Sequence, residues 1–334
     1  MPSSNGVFKT ILLLSATAVL GACGGGGGGG SSAGITAGDP VTIAAANAGS
    51  VTGATLDAAD GLTGNTEGAV GLFPAAVGHS RSAQINVIDT ILEQIKKAPQ
   101  LFPAESSRVS PAAVQSLSQN CDTGSISGSF NDNDNDLTLS TGDSVSITAN
   151  GCTFSGVTMN GSISMNNVVV SGDELSPPYS MQFTLQATNF SVTVSGETVV
   201  MRGGGTIGES SSDGISFTSS FTGNGIEIAA GSESLTLTNY NIQETENQAT
   251  GAYSISINAT ITSPSLGGSV TVTTDAVLTG VGSLDPDAGQ ITCVGAGNTS
   301  VTLTAVDSIN VQLEVDQDGD GNVDQTLAAA WADL

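Results

Sequence analysis

Basic residues are almost missing from this sequence. Its 334 residues include six Lys and Arg against 31 Asp and Glu, which gives a formal net charge of −25. Such a chain repels phosphate backbones and anionic headgroups, so nucleic-acid binding and electrostatic attachment to a membrane are excluded. An acidic, base-poor surface instead attracts divalent cations.

Histidine and aromatic residues are also scarce. The one histidine, His79, lies in a polar stretch, and no Ser or Cys nucleophile motif accompanies it. Paired carboxylates can hydrolyse glycosides, but the acids are scattered and no pair stands out. Residues 203–208 satisfy a GxGxxG pattern, yet no helix signal follows them, which indicates a chance match in a chain with 44 Gly. We therefore predict no catalytic residues and a non-enzymatic protein.

No apolar run is long enough for a permanent transmembrane helix, but a short one stands near the N-terminus. Lys9 precedes the apolar run 11–14, and small residues follow as far as Ala22. This order is typical of a secretory signal peptide, which we place at residues 1–22.

The end of this segment, Leu20-Gly21-Ala22-Cys23, resembles the lipobox of bacterial lipoprotein precursors. The resemblance implies cleavage before Cys23, diacylglycerol on its thiol and a further acyl chain, such as palmitate, on the new N-terminus. Two or more chains, at roughly 0.8 kcal/mol per buried CH₂, anchor a protein stably. Gly24 after the cysteine resembles the outer-membrane sorting signal of Gram-negative lipoproteins. Residues 23–34 would then be the lipidated cysteine and a flexible Gly/Ser tether.

Residues 35–120 are Ala-rich and mixed in character. Asp39-Pro40 resembles a helix start, and the Ala-rich segment 41–59 follows it, although Gly49 and Gly53 weaken a helix there. A second helix is predicted at 83–98, where isoleucines and Leu92 recur on one face before Pro99. That helix either packs on a sheet or covers an apolar cavity.

After Cys121 the apolar period changes from 3.6 to 2, which predicts an antiparallel β domain over 121–334. Clean alternation runs through residues 181–187, 190–194, 253–261 and 309–315. The first two runs differ in parity, which indicates a bulge or turn near Thr188-Asn189. The predicted fold is mainly β: a large antiparallel sheet system with one or two N-terminal helices packed on it. A sandwich, a curved sheet and a partly closed barrel all remain open.

Three cysteines remain after Cys23. An exported protein meets an oxidising compartment, and both Cys121 and Cys152 border the start of the β region, so we predict a disulfide between them. Cys293 would then be a buried, inert thiol. No histidine lies near any cysteine, which argues against zinc.

The sharpest chemical signal is the acidic stretch 316–324. Alternate Asp side chains in a tight loop can converge on one calcium ion, which takes six to eight oxygen ligands. The stretch resembles the loop of EF-hands and dockerins, and the resemblance makes Asp316, Asp318, Asp320, Asn322 and Asp324 candidate ligands. Position 12 is Leu327 instead of the usual Glu, and the flanks have the pattern of strands, so we expect a calcium-bound hairpin tip.

A second acidic stretch is a weaker candidate for calcium. Asp132, Asp134 and Asp136 again alternate, and Asp143 falls at position 12, but Leu137 stands where the pattern has Gly. For both stretches the alternative is a solvated turn.

The arrangement also resembles an uncharacterised class of bacterial lipoproteins. The marks are the Cys121 and Cys152 pair around an Asp/Asn loop, the segment 139–143, and a closing Asp-Gly-Asp-Gly hairpin that ends near Trp331. The resemblance brings no known activity. We therefore expect an outer-membrane, lipid-anchored protein for surface binding or envelope interaction. The alternative is a carrier of lipids or other lipophiles, with the 83–98 helix over an apolar cavity.

Overall fold

The computed structural model describes residues 35–63, 113–134, 139–154, 156–173, 176–194, 196–231, 233–282 and 284–334. These residues belong to one compact unit, Gly34–Leu334. The predicted signal peptide, Cys23, the tether, His79, the 83–98 helix and Asp136 lie outside the described residues.

The described chain folds as one antiparallel sheet in which each strand pairs with its neighbours in sequence. Among the described residues the outermost strands, β1 and β14, do not pair with each other, so this sheet is not closed. The fourteen strands are β1 (Ala113–Asn120), β2 (Thr123–Asp132), β3 (Ser144–Phe154), β4 (Val157–Asp173), β5 (Ser176–Val194), β6 (Glu197–Ser211), β7 (Ser216–Ala230), β8 (Glu233–Asn247), β9 (Ala252–Ser263), β10 (Gly268–Val281), β11 (Ala288–Val294), β12 (Ser300–Ala305), β13 (Asn310–Asp316) and β14 (Gln325–Ala330).

The mainly β prediction is confirmed: the described strands form one antiparallel sheet that is not closed. The sheet begins at Ala113, ahead of the change in period at Cys121. The predicted alternation appears as burial in β9, where Ile257, Ala259 and Ile261 face the core and the residues between them are half-buried. Ile309, by contrast, precedes β13 and is 67% exposed, because the strand begins only at Asn310.

The parity change predicted near Thr188-Asn189 is a bulge inside one strand, β5. The pairing of β5 with β6 shifts between Ala187 and Phe190, and Asn189 has a φ of 46°. An extra residue in one strand turns the following side chains to the other face. The bulge therefore keeps both halves of the strand buried on the core side, with Leu185 before it and Phe190 and Val192 after it.

One α-helix is described, α1 (Ala48–Thr63), and it begins later than the sequence indicated. The predicted start at Asp39-Pro40 is wrong, because backbone groups there bond to β10 instead: the Asp39 carbonyl accepts from Ser269 N–H, and Val41 N–H donates to the Ser269 carbonyl. Gly49 and Gly53 lie inside the helix. A Cβ on Gly53 would lie 2.6 Å from the backbone carbon of Leu334, so glycine permits this close approach.

Helix α1 closes part of the core. It contacts β7, β8, β9, β12 and β13. Its buried residues recur at helical spacing, namely Ala48, Val51, Thr52 and Thr55. The buried hydroxyls of Thr52 and Thr55 donate to helix carbonyls one turn back, which satisfies them within the core.

The cysteines follow the prediction. Cys121 and Cys152 form a disulfide that joins the turn between β1 and β2 to β3, with Cα atoms 5.3 Å apart. Cys293 is a free thiol on β11, fully buried and 3.5 Å from the Thr55 hydroxyl. Burial raises the pKa of the Cys293 thiol to about 12, so the reactive thiolate is strongly disfavoured.

Candidate metal centres

The β13–β14 hairpin carries the first acidic group, which we call the C-terminal Asp loop (residues 316–324). Asp316 ends β13 and is buried, and its carboxylate accepts two backbone hydrogen bonds of 2.8 Å, from Gly319 and Gly321. Gly319 and Gly321 have φ of 75° and 86°, a region that glycine enters without strain. The buried carboxylate is thus the centre around which the loop folds.

Three carboxylates of this loop converge. One oxygen from each of Asp316, Asp318 and Asp324 lies within 4.8 Å of the others, and such a group could hold a metal ion. Asp324 is fixed from both sides: its carboxylate accepts from Gln317 N–H, and its own N–H donates to the Val315 carbonyl. Like charges this close repel, and a cation between them would cancel that repulsion.

Asp320 does not join this group. Its carboxylate accepts a 2.8 Å hydrogen bond from Asn322 N–H, and that backbone hydrogen bond lowers the pKa of Asp320. Of the acids that the EF-hand-like spacing predicts, Asp316, Asp318 and Asp324 (loop positions 1, 3 and 9) come together. Asp320 (position 5) does not. Leu327, at loop position 12, already lies in β14 and has no carboxylate, so this position supplies no carboxylate ligand.

The second acidic group connects β2 to β3, and we call it the N-terminal Asp loop (residues 132–143). Asp132, Asp134 and Asp143 offer oxygens that all lie within 4.8 Å of one another. Asp132 and Asp143 are almost completely buried, at 0% and 1% exposed. Carboxylates are rarely buried to this degree unless they are hydrogen-bonded, paired or bound to a metal.

Hydrogen bonds within the N-terminal Asp loop fix these carboxylates in place. Asp143 accepts from the backbone N–H of Asn133 (2.8 Å) and of Ser140 (2.6 Å), and the Ser140 hydroxyl donates to Asp134 at 2.9 Å. Ser140 was not among the predicted site residues. Ser140 precedes Asp143 by three residues, a spacing at which an Asp carboxylate accepts a hydrogen bond from a backbone N–H earlier in the chain. This spacing is the signal in the sequence that could have identified Ser140.

The two Asp loops lie at opposite ends of the strands of the sheet. Neighbouring strands run in opposite directions, and one loop follows the even-numbered β2 whereas the other follows the odd-numbered β13. Both loops lie near the margins of the sheet, in its second and its last hairpin. A bound ion would therefore fix a hairpin close to each margin of the open sheet.

The GxGxxG match lies within a strand and not before a helix: residues 203–208 are inside β6 and pair with β5 and β7. Gly205 makes room for Tyr240, because a Cβ there would lie 2.4 Å from the Tyr240 hydroxyl oxygen. That hydroxyl donates to the Gly204 carbonyl at 2.8 Å. Arg202 forms an ion pair of 2.9 Å with Glu227, and its side chain is 47% exposed, so water screens this pair.

Comparisons with protein-family models, with curated proteins and with solved structures give no match. No family is identified. The described chain contains one large antiparallel sheet with two acidic groups that could hold metal ions. Within it, no helix combines the length and the apolar character needed to cross a bilayer.

Proposed function

We propose that this protein is a calcium-stabilised, non-enzymatic β scaffold that is anchored by lipid on Cys23 in an outer membrane and binds a partner of the cell envelope or surface. The observation that carries the proposal is the convergence of three carboxylates in each of the two Asp loops. The lipid anchor rests on the lipobox-like residues 20–23.

Calcium is the ion that the donors favour. Both groups consist of carboxylate oxygens, and hard oxygen donors in a flexible loop are typical of calcium, whereas zinc prefers Cys and His. Magnesium demands a tighter octahedral shell and usually keeps several waters. Backbone carbonyls and water would complete the six to eight oxygens that calcium takes.

Two features explain why a bound ion would stabilise the fold. Each Asp loop gathers three negative charges in a chain whose net charge is already −25, so a divalent cation reduces local and overall repulsion. Each group also joins two strands, because Asp132 ends β2 and Asp143 precedes β3, while Asp316 ends β13 and Asp324 precedes β14. An ion held by both sides fixes these hairpins.

The test is calorimetric titration of calcium into the full chain in detergent, with thermal melts alongside. We expect heat of binding and a raised melting temperature, because a ligand that binds only the folded state stabilises it by RT ln(1 + [L]/Kd), about 2.7 kcal/mol at a hundredfold excess over Kd. Absence of both heat and a melting shift would reject calcium stabilisation.

Matched variants locate the sites. Asp316→Asn and Asp143→Asn should each remove one set of binding heat, because each replaces a converging, buried carboxylate. Asp320→Asn is the control: its carboxylate lies outside the group, so the calcium response should remain. An equal loss in Asp316→Asn and Asp320→Asn would show that charge alone, and not the geometry of the loop, binds the ion.

The lipid anchor has its own test. Cells that express the full chain are fed labelled palmitate, and the wild type is compared with Cys23→Ala. The wild type should carry the label and fractionate with outer membranes, whereas the variant should do neither. Equal labelling of both proteins would refute an anchor at Cys23.

A further inference from the structure

The last strand, β14, has one backbone side that no other strand of the described residues pairs with. The Trp331 N–H donates to the Ile309 carbonyl, and in an antiparallel ladder such bonded pairs recur at every second residue. In the register of β13 with β14, the backbone N–H and C=O groups that bond to β13 are therefore those of residues 325, 327 and 329. The N–H and C=O groups of Thr326, Ala328 and Ala330 therefore point away from β13.

The opposite side of β13 confirms this assignment. Val306 N–H donates to the Asn310 carbonyl, so the even-numbered residues of β13 bond to β12 and the odd-numbered ones to β14. No described strand pairs with the outer side of β14. Gln325, Thr326 and Ala328 are exposed, which leaves that side accessible.

This edge lacks most of the devices that protect edge strands. Proteins block such edges with lysine, proline, bulges or inward-pointing charges. β14 has the sequence Gln-Thr-Leu-Ala-Ala-Ala, without a charge or a proline, and its pairing with β13 contains no register shift. Small side chains also leave room for a neighbouring backbone at the usual strand spacing of about 4.8 Å.

The surroundings of the edge define the chemistry of an occupant. At one end of β14 lies the C-terminal Asp loop, and Glu314 of β13 stands directly opposite Thr326 of β14. At the other end lie the exposed side chains of Val306 and Ile309, 57% and 67% accessible. A complementary segment is extended, carries positive charge and has some apolar side chains. A second copy of this chain would bring another net charge of −25 and fits poorly.

We propose that β14 binds an extended, basic peptide segment of a partner protein by strand addition, with the backbone groups of Thr326, Ala328 and Ala330 forming the new ladder. Main-chain hydrogen bonds give affinity in this mode, and alternate side chains with the local charge give preference. The inference deepens the proposed binding role and rests on it for the kind of partner, but it requires neither the lipid anchor nor calcium.

The probe is a short, fluorescently labelled peptide of alternating lysine and valine, capped at both ends. It is titrated into the full chain in neutral detergent and followed by anisotropy, with and without a calcium chelator. We expect saturable binding at micromolar to millimolar concentration, at least tenfold weaker binding of the matched glutamate–valine peptide, and slower hydrogen exchange of the three outward amides of β14 in the complex.

One pair of variants isolates the edge. Ala328→Pro removes an outward N–H that the bond to β13 does not use, and proline is tolerated at an edge strand on the side that faces solvent. This variant should keep the melting temperature within a few degrees and lose peptide binding at least tenfold. Ala328→Thr keeps the N–H and should bind like the wild type.

Several results would overturn the inference. The first is the absence of saturable binding of the lysine–valine peptide. The second and third are equal peptide binding by Ala328→Pro and the wild type, and equal binding of the glutamate–valine peptide by the wild type. The fourth is a dimer of the free chain in sedimentation that the Ala328→Pro variant abolishes. The chelator separates this inference from calcium stabilisation: peptide binding that persists without any calcium response supports the edge site alone. A calcium response without peptide binding rejects the edge site alone.

Discussion

Single residues decide how the C-terminal Asp loop is held on the body of the sheet. Gly319 lies against the turn that connects β11 to β12, where a Cβ would come within 2.1 Å of the Gly297 carbonyl oxygen. Gly321, two residues on, has a similar positive φ but nothing within 4 Å of the corresponding position. The two glycines therefore differ in packing and not in backbone conformation, which makes them a natural pair for comparison.

We predict that Gly319→Ala destabilises the protein more than Gly321→Ala. A positive φ costs a non-glycine residue roughly 1–2 kcal/mol at either position. Only Gly319→Ala adds the contact with backbone, at roughly 1–3 kcal/mol for overpacking. Denaturant unfolding at fixed calcium measures both changes. Equal losses would mean that the contact with Gly297 relaxes without cost.

Asp307 gives a prediction about pH. Its carboxylate accepts hydrogen bonds from Asn310, by side chain and backbone, and from Ile309 N–H, and the side-chain bond of Asn310 contributes most to lowering the pKa of Asp307 below its usual 3.8. A carboxyl group whose pKa is lower in the folded than in the unfolded state stabilises the fold at a pH above the unfolded-state pKa. This contribution disappears as the pH falls through the folded-state pKa.

Asp307→Asn should therefore melt below the wild type at neutral pH, and the difference should shrink as the pH falls below about 4. Thermal melts of both proteins across this range measure the effect. A difference that persists unchanged to about pH 2 would show that the charge of Asp307 is not its source.

At the scale of elements, β5 depends on its bulge. Without the extra residue, Phe190 and Val192 would turn to the wet face, and each buried side chain of this size contributes roughly 1.5–3 kcal/mol. Deletion of Asn189 should accordingly give a protein that unfolds far more easily or does not fold. Asn189→Gly is the control, because glycine adopts the positive φ. Circular dichroism and melting compare them, and a stable deletion variant would contradict the register.

The strands and the bulge could be predicted because their signals are local, and the disulfide because both cysteines border the start of the β region in an exported chain. Alternation of apolar residues records which face is buried, and the parity change at Thr188-Asn189 records the inserted residue. The start of α1 could not be predicted, because Asp39 and Val41 bond to Ser269, far away in sequence. Asp320 has a different reason: spacing indicated a ligand, whereas its carboxylate accepts a local hydrogen bond from Asn322 N–H, two residues on. Tertiary hydrogen bonds overrode the local pattern at the start of α1, and a turn hydrogen bond within the loop did so at Asp320.

The whole molecule carries far more negative than positive charge, and this sets a general response to salt. Repulsion within a chain of net charge −25 opposes the compact state. Added sodium chloride shortens the Debye length to about 10 Å at 0.1 M and should raise the melting temperature of the wild type. The rise should also occur in Asp316→Asn and Asp143→Asn, each of which should lack one of the two calcium sites. A melting temperature that falls with moderate salt would contradict this prediction.

The order of the strands also bears on how the chain is made. A ribosome or an export channel delivers the polypeptide N-terminus first, and here every strand after β1 emerges directly after the strand with which it pairs. Each new pairing closes only a short hairpin, which keeps its entropic cost low. Helix α1 is the exception, because it is made early but packs against β12, β13 and Leu334, which are made last. Assembly of the sheet can therefore accompany synthesis, whereas the core beside α1 forms only after the final hairpin has emerged.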